Sequence, residues 1–120
     1  MKKTKMLKKN YEFSNVFSKG SYYSGEVIEA FILNNSEKNF NYLGLAISSK
    51  SGHAYQRNRI KRLLRENYMS FENKIISGIS IVLLLKKQVD IASVDYYKVN
   101  KDLIKIFEKS KTFERAKKSD

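Results

Sequence analysis

The chain has 120 residues, 42% of them hydrophobic, with eight tyrosines and seven phenylalanines, which suits one folded domain and argues against a disordered basic tail. A formal net charge of +12 and a pI near 9.8 call for an anionic partner, nucleic acid first and an anionic membrane surface second. Without cysteine the chain forms no disulfide and no thiolate metal site, which is compatible with a cytosolic life.

Residues 1–8 are polar and basic and read as a flexible arm. The opening MKKTKMLKKNYEF has no apolar run of signal-peptide length, so secretion is not expected. Asn10 is placed to cap a short helix reaching about Ser18, with Tyr11 or Phe13, Val16 and Phe17 at helical spacing, and Gly20 ends it. Val27 to Leu33 alternates and is rich in strand formers, and Asn34-Asn35-Ser36 marks a turn. A second strand runs from Tyr42 to Ser48, with Leu43, Leu45 and Ile47 on one face. Its other face carries Tyr42, Gly44 and Ala46, a surface small enough for another group to approach closely.

After the loop from Ser48 to His53, a long helix is predicted from about Tyr55 to Phe71. Ile79 to Leu85 is nearly continuous in apolar residues, as in an interior strand covered on both sides, and is too short to cross a bilayer. A last helix runs to about Lys109, with Tyr96, Val99, Leu103 and Phe107 on its inner face. Residues 110–120 are charged, lack a periodic apolar face and read as frayed. The predicted order α-β-β-α-β-α gives an α+β fold, a two-layer sandwich in a single domain over 1–112 with a charged tail over 113–120. There is no proline, so turns rest on glycine, asparagine and serine.

Four of the five arginines, Arg57, Arg59, Arg62 and Arg65, fall within nine residues, whereas the lysines are scattered from end to end. A guanidinium grips phosphate through two hydrogen bonds at once, which an ammonium does not. At helical spacing Ile60, Leu63 and Leu64 cluster on one side of the long helix. Arg57, Asn58, Lys61, Arg62 and Arg65 cover much of the opposite side over roughly 12 Å, with Arg59 and Glu66 apart from both. The plain alternative is a solvated charged face. Against it, Glu66 is the one acid from Arg57 to Glu66, so salt bridges within the helix do not explain the pattern. The pairs Arg57–Lys61 and Lys61–Arg65 instead repel, at a cost of about a few tenths of a kcal/mol each. A surface that tolerates such repulsion is built for a polyanion.

The run GLAISSKSGHAYQRNRIKRLLRENY resembles the signature of the bacterial ribonuclease P protein subunit: a strand Gly-Leu, a basic loop with Lys and Gly, then Arg-Asn-Arg-x-Lys-Arg opening a helix. LKKNYEFSNVFSKG is similar to the opening of that family, where two phenylalanines precede a basic-Gly turn. The resemblance covers about 110 residues. It implies a ribosomal-protein-like fold with a left-handed β-α-β crossover, a handedness that general topology rules would not predict. It also implies a small basic protein, one per RNA, that partners a large catalytic RNA in removing the 5′ leader from precursor tRNA. In that arrangement the RNA carries the Mg²⁺-dependent chemistry and no residue of the protein is catalytic.

Carried over by position, Arg57, Asn58, Arg59, Lys61, Arg62 and Arg65 are expected to face the catalytic RNA. Phe13, Phe17 and Phe31 are expected to line a leader cleft between the first helix and the open sheet face, with Lys50 in the same basic neighbourhood. Aromatic platforms beside a basic groove suit single-stranded RNA, because every base offers a face to stack. The other reading of Phe13 and Phe17 is that they seal helix to sheet as core residues. The chain departs from the family at Ser49, where a second lysine is common, at His53, and at Lys86, near the place of an arginine after the third strand.

The sequence holds no pair of histidines for acid–base work and no acidic cluster for two Mg²⁺ ions, so a self-sufficient nuclease is not expected. A ribosomal or assembly protein using the same basic helix is the second reading; it needs the arginines but no aromatic cleft. Membrane binding is disfavoured, because the helix flank opposite the arginines lacks spare exposed aromatics.

Overall fold

A computed structural model of the chain describes residues 2–37 and 39–114. Its elements are β1 (Thr4–Met6), α1 (Asn10–Lys19), β2 (Ser21–Ser24), β3 (Ile28–Asn34), β4 (Asn41–Ala46), α2 (Ala54–Phe71), β5 (Ile79–Leu85) and α3 (Tyr96–Lys109). Short 3₁₀ turns cover Ser49–Ser51, Glu72–Lys74 and Ile91–Ser93.

β5 is the middle of a five-stranded sheet ordered β1-β4-β5-β3-β2, as its nearly continuous apolar run foretold. β4 pairs with β5 in parallel, and α2 makes the crossover between them. β3 lies antiparallel to β5, and β2 antiparallel to β3. Because side chains alternate along a strand, the two faces of the sheet bury different sets. Ile28, Ala30, Leu43, Ile81 and Leu83 meet Ile60, Leu64 and Tyr68 of α2 and Val99, Leu103, Ile106 and Phe107 of α3. Each such aliphatic side chain contributes about 1.5–3 kcal/mol on burial. On the opposite face Val82 packs with Leu7 and with Val16 of α1, rimmed by Phe13, Phe31, Leu33, Tyr42, Ala46 and Leu84. The α+β class and the order of the six expected elements are those read from the sequence.

The arm expected over residues 1–8 is corrected at its centre: Thr4–Met6 is a strand, parallel to β4 at the sheet edge. Three residues, Thr-Lys-Met, are too few to carry a strand signal of their own. The strand is held by tertiary bonds, with Thr4 and Tyr68 hydroxyls 2.6 Å apart and the Lys3 ammonium 2.6 Å from the Ile75 carbonyl oxygen. The amide of Lys2 donates to Glu72 Oε1 at 3.0 Å. β2, which begins directly after α1, is likewise too short to read by periodicity. Lys9, rather than Asn10, stands at the N-cap of α1, and Glu12 accepts the Lys9 amide at 2.9 Å. Tyr96, expected on the inner face of α3, is 38% exposed, because it opens the helix before its packed turns begin.

Of the tail expected to be frayed, residues 115–120 lie outside the described residues. Phe113 bridges Ile75 and packs on Phe71 and Phe107, so the chain stays ordered to Glu114.

α3 also secures the far end of the β2–β3 hairpin. Its buried Asp102 accepts the amides of Glu26, Val27 and Ile28 at 2.8, 2.7 and 2.9 Å. Gly25 makes room for this carboxylate, which occupies the space a β-carbon would need.

Candidate nucleic-acid interface

The register of the sheet puts Tyr22, Phe31, Val82 and Gly44 in one row on the face beneath α1. Val82 is covered. At Gly44 the ring of Phe13 comes down onto the strand, and a β-carbon there would lie 2.6 Å from Phe13 Cε1 and 3.0 Å from Leu7 Cδ1. The small sheet face is therefore a seat for a ring of the protein itself. Phe13 belongs to the packing between α1 and the sheet, as the core reading has it.

The other two aromatic positions form the accessible part of the face. Phe17 sits edge-on to Phe31 with ring centroids 5.1 Å apart, and Tyr22 lies tilted against the other side of Phe31 at 5.3 Å. Phe17 is 37% exposed and Tyr22 51% exposed. Three rings thus line one another from α1 across β3 to β2. Tyr22 escaped the sequence reading, although the alternation in Ser-Tyr-Tyr-Ser would have placed one tyrosine on each face. The phenol donates to the Glu29 carboxylate, and this hydrogen bond holds the Tyr22 hydroxyl above its ordinary pKa.

Beyond the carboxyl ends of β4 and β5, Lys50, Lys86 and Lys87 border an open hollow with Ser48, Gln88 and Asp90. Lys50 is exposed. The Lys86 ammonium donates to the Gly25 carbonyl at 3.1 Å, so part of its hydrogen bonding ties β5 to the hairpin.

The arginine cluster divides in two. Arg57 is half-buried and its guanidinium donates to the Gly52 carbonyl at 2.7 Å, bracing the loop before α2. Arg59 donates to the Val94 carbonyl at 2.7 Å and fastens α2 to the approach to α3. Asn58, Arg62 and Arg65 are exposed, and Lys61 is half-exposed. Among the described residues no carboxylate pairs with any of these cations; Lys3 and Glu114, at 4.0 Å, form the single ion pair. Within the described residues the exposed cations of α2 are left without counter-charge.

Fold and site together define a basic α+β protein with a cation-bearing helix and a separate row of accessible aromatic rings. The ribonuclease P family model matches residues 1–111. The ribonuclease P protein component of Natranaerobius thermophilus is 38% identical over 109 residues, covering 91% of this chain and 92% of that protein. That of Bacillus cereus is 36% identical over 110 residues, covering 92% and 94%. The structure of the Staphylococcus aureus RNase P protein superposes with a TM-score of 0.79 at 27% identity, covering 91% of this chain and 97% of that one. The chain belongs to the ribonuclease P protein family, whose members are subunits of the ribonucleoprotein enzyme that processes tRNA. No helix among the described residues is long and apolar enough to cross a membrane.

Proposed function

We propose that the protein binds the catalytic RNA of ribonuclease P through the exposed cations of α2 and holds the 5′ leader of precursor tRNA along Phe17, Phe31 and Tyr22. The observation that carries this reading is the row of three touching rings, accessible on the sheet face and apart from the arginines. An assembly protein would need Arg62 and Arg65 but would have no use for that row. Lys50, at the rim of the hollow beside the strand ends, adds a cation for the leader backbone.

In this reading the RNA performs the cleavage, and one protein per RNA acts by binding and positioning in the cytoplasm. Mg²⁺ is held by the RNA and the substrate. Among the described residues no three acidic or histidine side chains come together, so the protein offers no carboxylate cage of its own for such an ion. The guanidinium fork suits the phosphates of the folded RNA. The rings suit single-stranded leader of any sequence, each stack contributing roughly 1–3 kcal/mol.

Reconstitution with the catalytic RNA of the same organism at low Mg²⁺, scored by removal of the 5′ leader from precursor tRNA, tests the proposal. Added protein is expected to restore cleavage that the RNA alone performs poorly there. Protein that leaves cleavage unchanged while binding the RNA would favour an assembly role.

A further inference from the structure

Tyr55, Asn58, Arg62, Arg65 and Met69 follow one another at alternating steps of three and four along α2, so they share one stripe of the helix. All five are exposed, Tyr55 at 71%. The ring of Tyr55 lies parallel to that of His53, with an interplanar angle of 6° and centroids 5.8 Å apart. His53 immediately precedes the helix, and its amide donates to Gln56 Oε1 at 2.9 Å, which fixes the backbone that carries the imidazole. One side of the Tyr55 ring is thus backed by a second ring. Neither residue takes part in the phosphate contacts assigned to α2, and neither belongs to the aromatic row on the sheet.

The geometry points to a base-stacking site at the start of α2: Tyr55, backed by His53, receives one unpaired base of the catalytic RNA whose phosphates meet Arg62 and Arg65. This inference rests on the proposed RNA-facing role of α2. Two features favour a base over other occupants. The ring stands on the same stripe as cations that have no carboxylate partner among the described residues, so a polyanion drawn to Arg62 passes it about 10 Å away, at 1.5 Å per residue. The ring already lies against His53 before binding, and a face so placed loses less entropy when a base settles on it. Stacking needs no particular base, so the site adds affinity for an unpaired nucleotide without reading its identity.

The test measures affinity for the catalytic RNA over a range of salt, with the full chain. Tyr55→Ala is expected to weaken binding about tenfold with an unchanged salt slope and melting temperature, because the side chain is exposed and uncharged. Tyr55→Phe should bind as the unaltered protein does. Tyr55→Trp introduces the one tryptophan of the chain, since the sequence has none, and its emission should be quenched on adding the catalytic RNA. Full affinity in Tyr55→Ala, with Arg62→Ala still flattening the salt slope, would overturn the stacking site and leave the RNA-facing role of α2 standing. A loss confined to the affinity of the assembled complex for precursor tRNA would also overturn it. Failure of the unaltered protein to bind the RNA would remove the functional reading itself, and this inference with it.

Discussion

Phe13 rests on Gly44 so closely that the sheet has no room for a β-carbon between them: one built at Gly44 would stand 2.6 Å from Phe13 Cε1. This contact sets how deeply α1 sits on β4 and β5, and so where Phe17 stands relative to Phe31. Gly44→Ala must push the ring and the helix outward. The expected cost is about 1–3 kcal/mol, the usual range for overpacking, read as a lower denaturant midpoint. An unshifted midpoint would mean that Phe13 finds another rotamer without loss.

Phe17 and Tyr22 present rings that the fold only partly uses. Phe17→Ala and Tyr22→Ala should each weaken binding of precursor tRNA with a long leader by about 1–3 kcal/mol while sparing tRNA of mature length. Binding assays on the reconstituted complex with the two RNAs decide this. Equal loss on both, in a protein of normal stability, would return Phe17 to the core.

Arg59 and Arg62 are three residues apart and should behave differently. Arg62→Ala is expected to flatten the salt dependence of RNA binding by about one phosphate contact and to leave stability alone. Arg59→Ala strips the Val94 carbonyl of its donor, so its first effect is a destabilisation of about 1–3 kcal/mol in a melting experiment. A reversal of the two patterns would exchange their roles.

Asp102 holds the turn of the hairpin that carries Tyr22 and Phe31. Asp102→Ala orphans the amides of Glu26, Val27 and Ile28, and a loss of about 3 kcal/mol or more is expected. Hydrogen exchange at those amides should quicken well beyond that at β4. Retained protection would show that the turn holds itself.

Glu72 makes the β1 edge sensitive to acid. Burial pushes its carboxyl up, but the Thr4 side chain and the amides of Lys2 and Lys3 outweigh burial and hold it below the ordinary carboxylate pKa. A carboxylate whose folded pKa is depressed lends stability above the unfolded value and loses it as pH falls through the folded one. Protection of the β1 amides, with exchange rates corrected for their intrinsic pH dependence, should therefore fall on acidification through the carboxylate range, and Glu72→Gln should remove that change. A variant that keeps the full pH response would shift the effect to another carboxylate.

The sequence made the interior legible where pattern was long and local: the nearly continuous apolar run of β5, the amphipathic faces of α2 and α3, the alternation in β3. It was silent on β1 and β2, which at three and four residues are too short to show a period; β1 also depends on pairing with β4, remote in the chain. The arginine cluster was legible as a charge, and Arg59 already stood apart on helical geometry. That Arg57 braces a loop was not legible, because the Gly52 carbonyl it serves has no signature. The aromatic cleft was found through a resemblance, and its detail shifted in the structure: Phe13 fills the space beside Gly44, and Tyr22 joins the row through sheet register.

The sheet order also sets a timetable for the growing chain. β1 and α1 leave the ribosome first, but β1 waits for β4, and the face under α1 is complete only when β5 arrives after the whole of α2. Until then Phe13 has no lasting shelter. Such non-local pairing slows folding and prolongs exposure of apolar surface. Phe13, the ring that seats α1 on the sheet, is thus among the last to be shielded during synthesis, on a chain that already carries its positive charge.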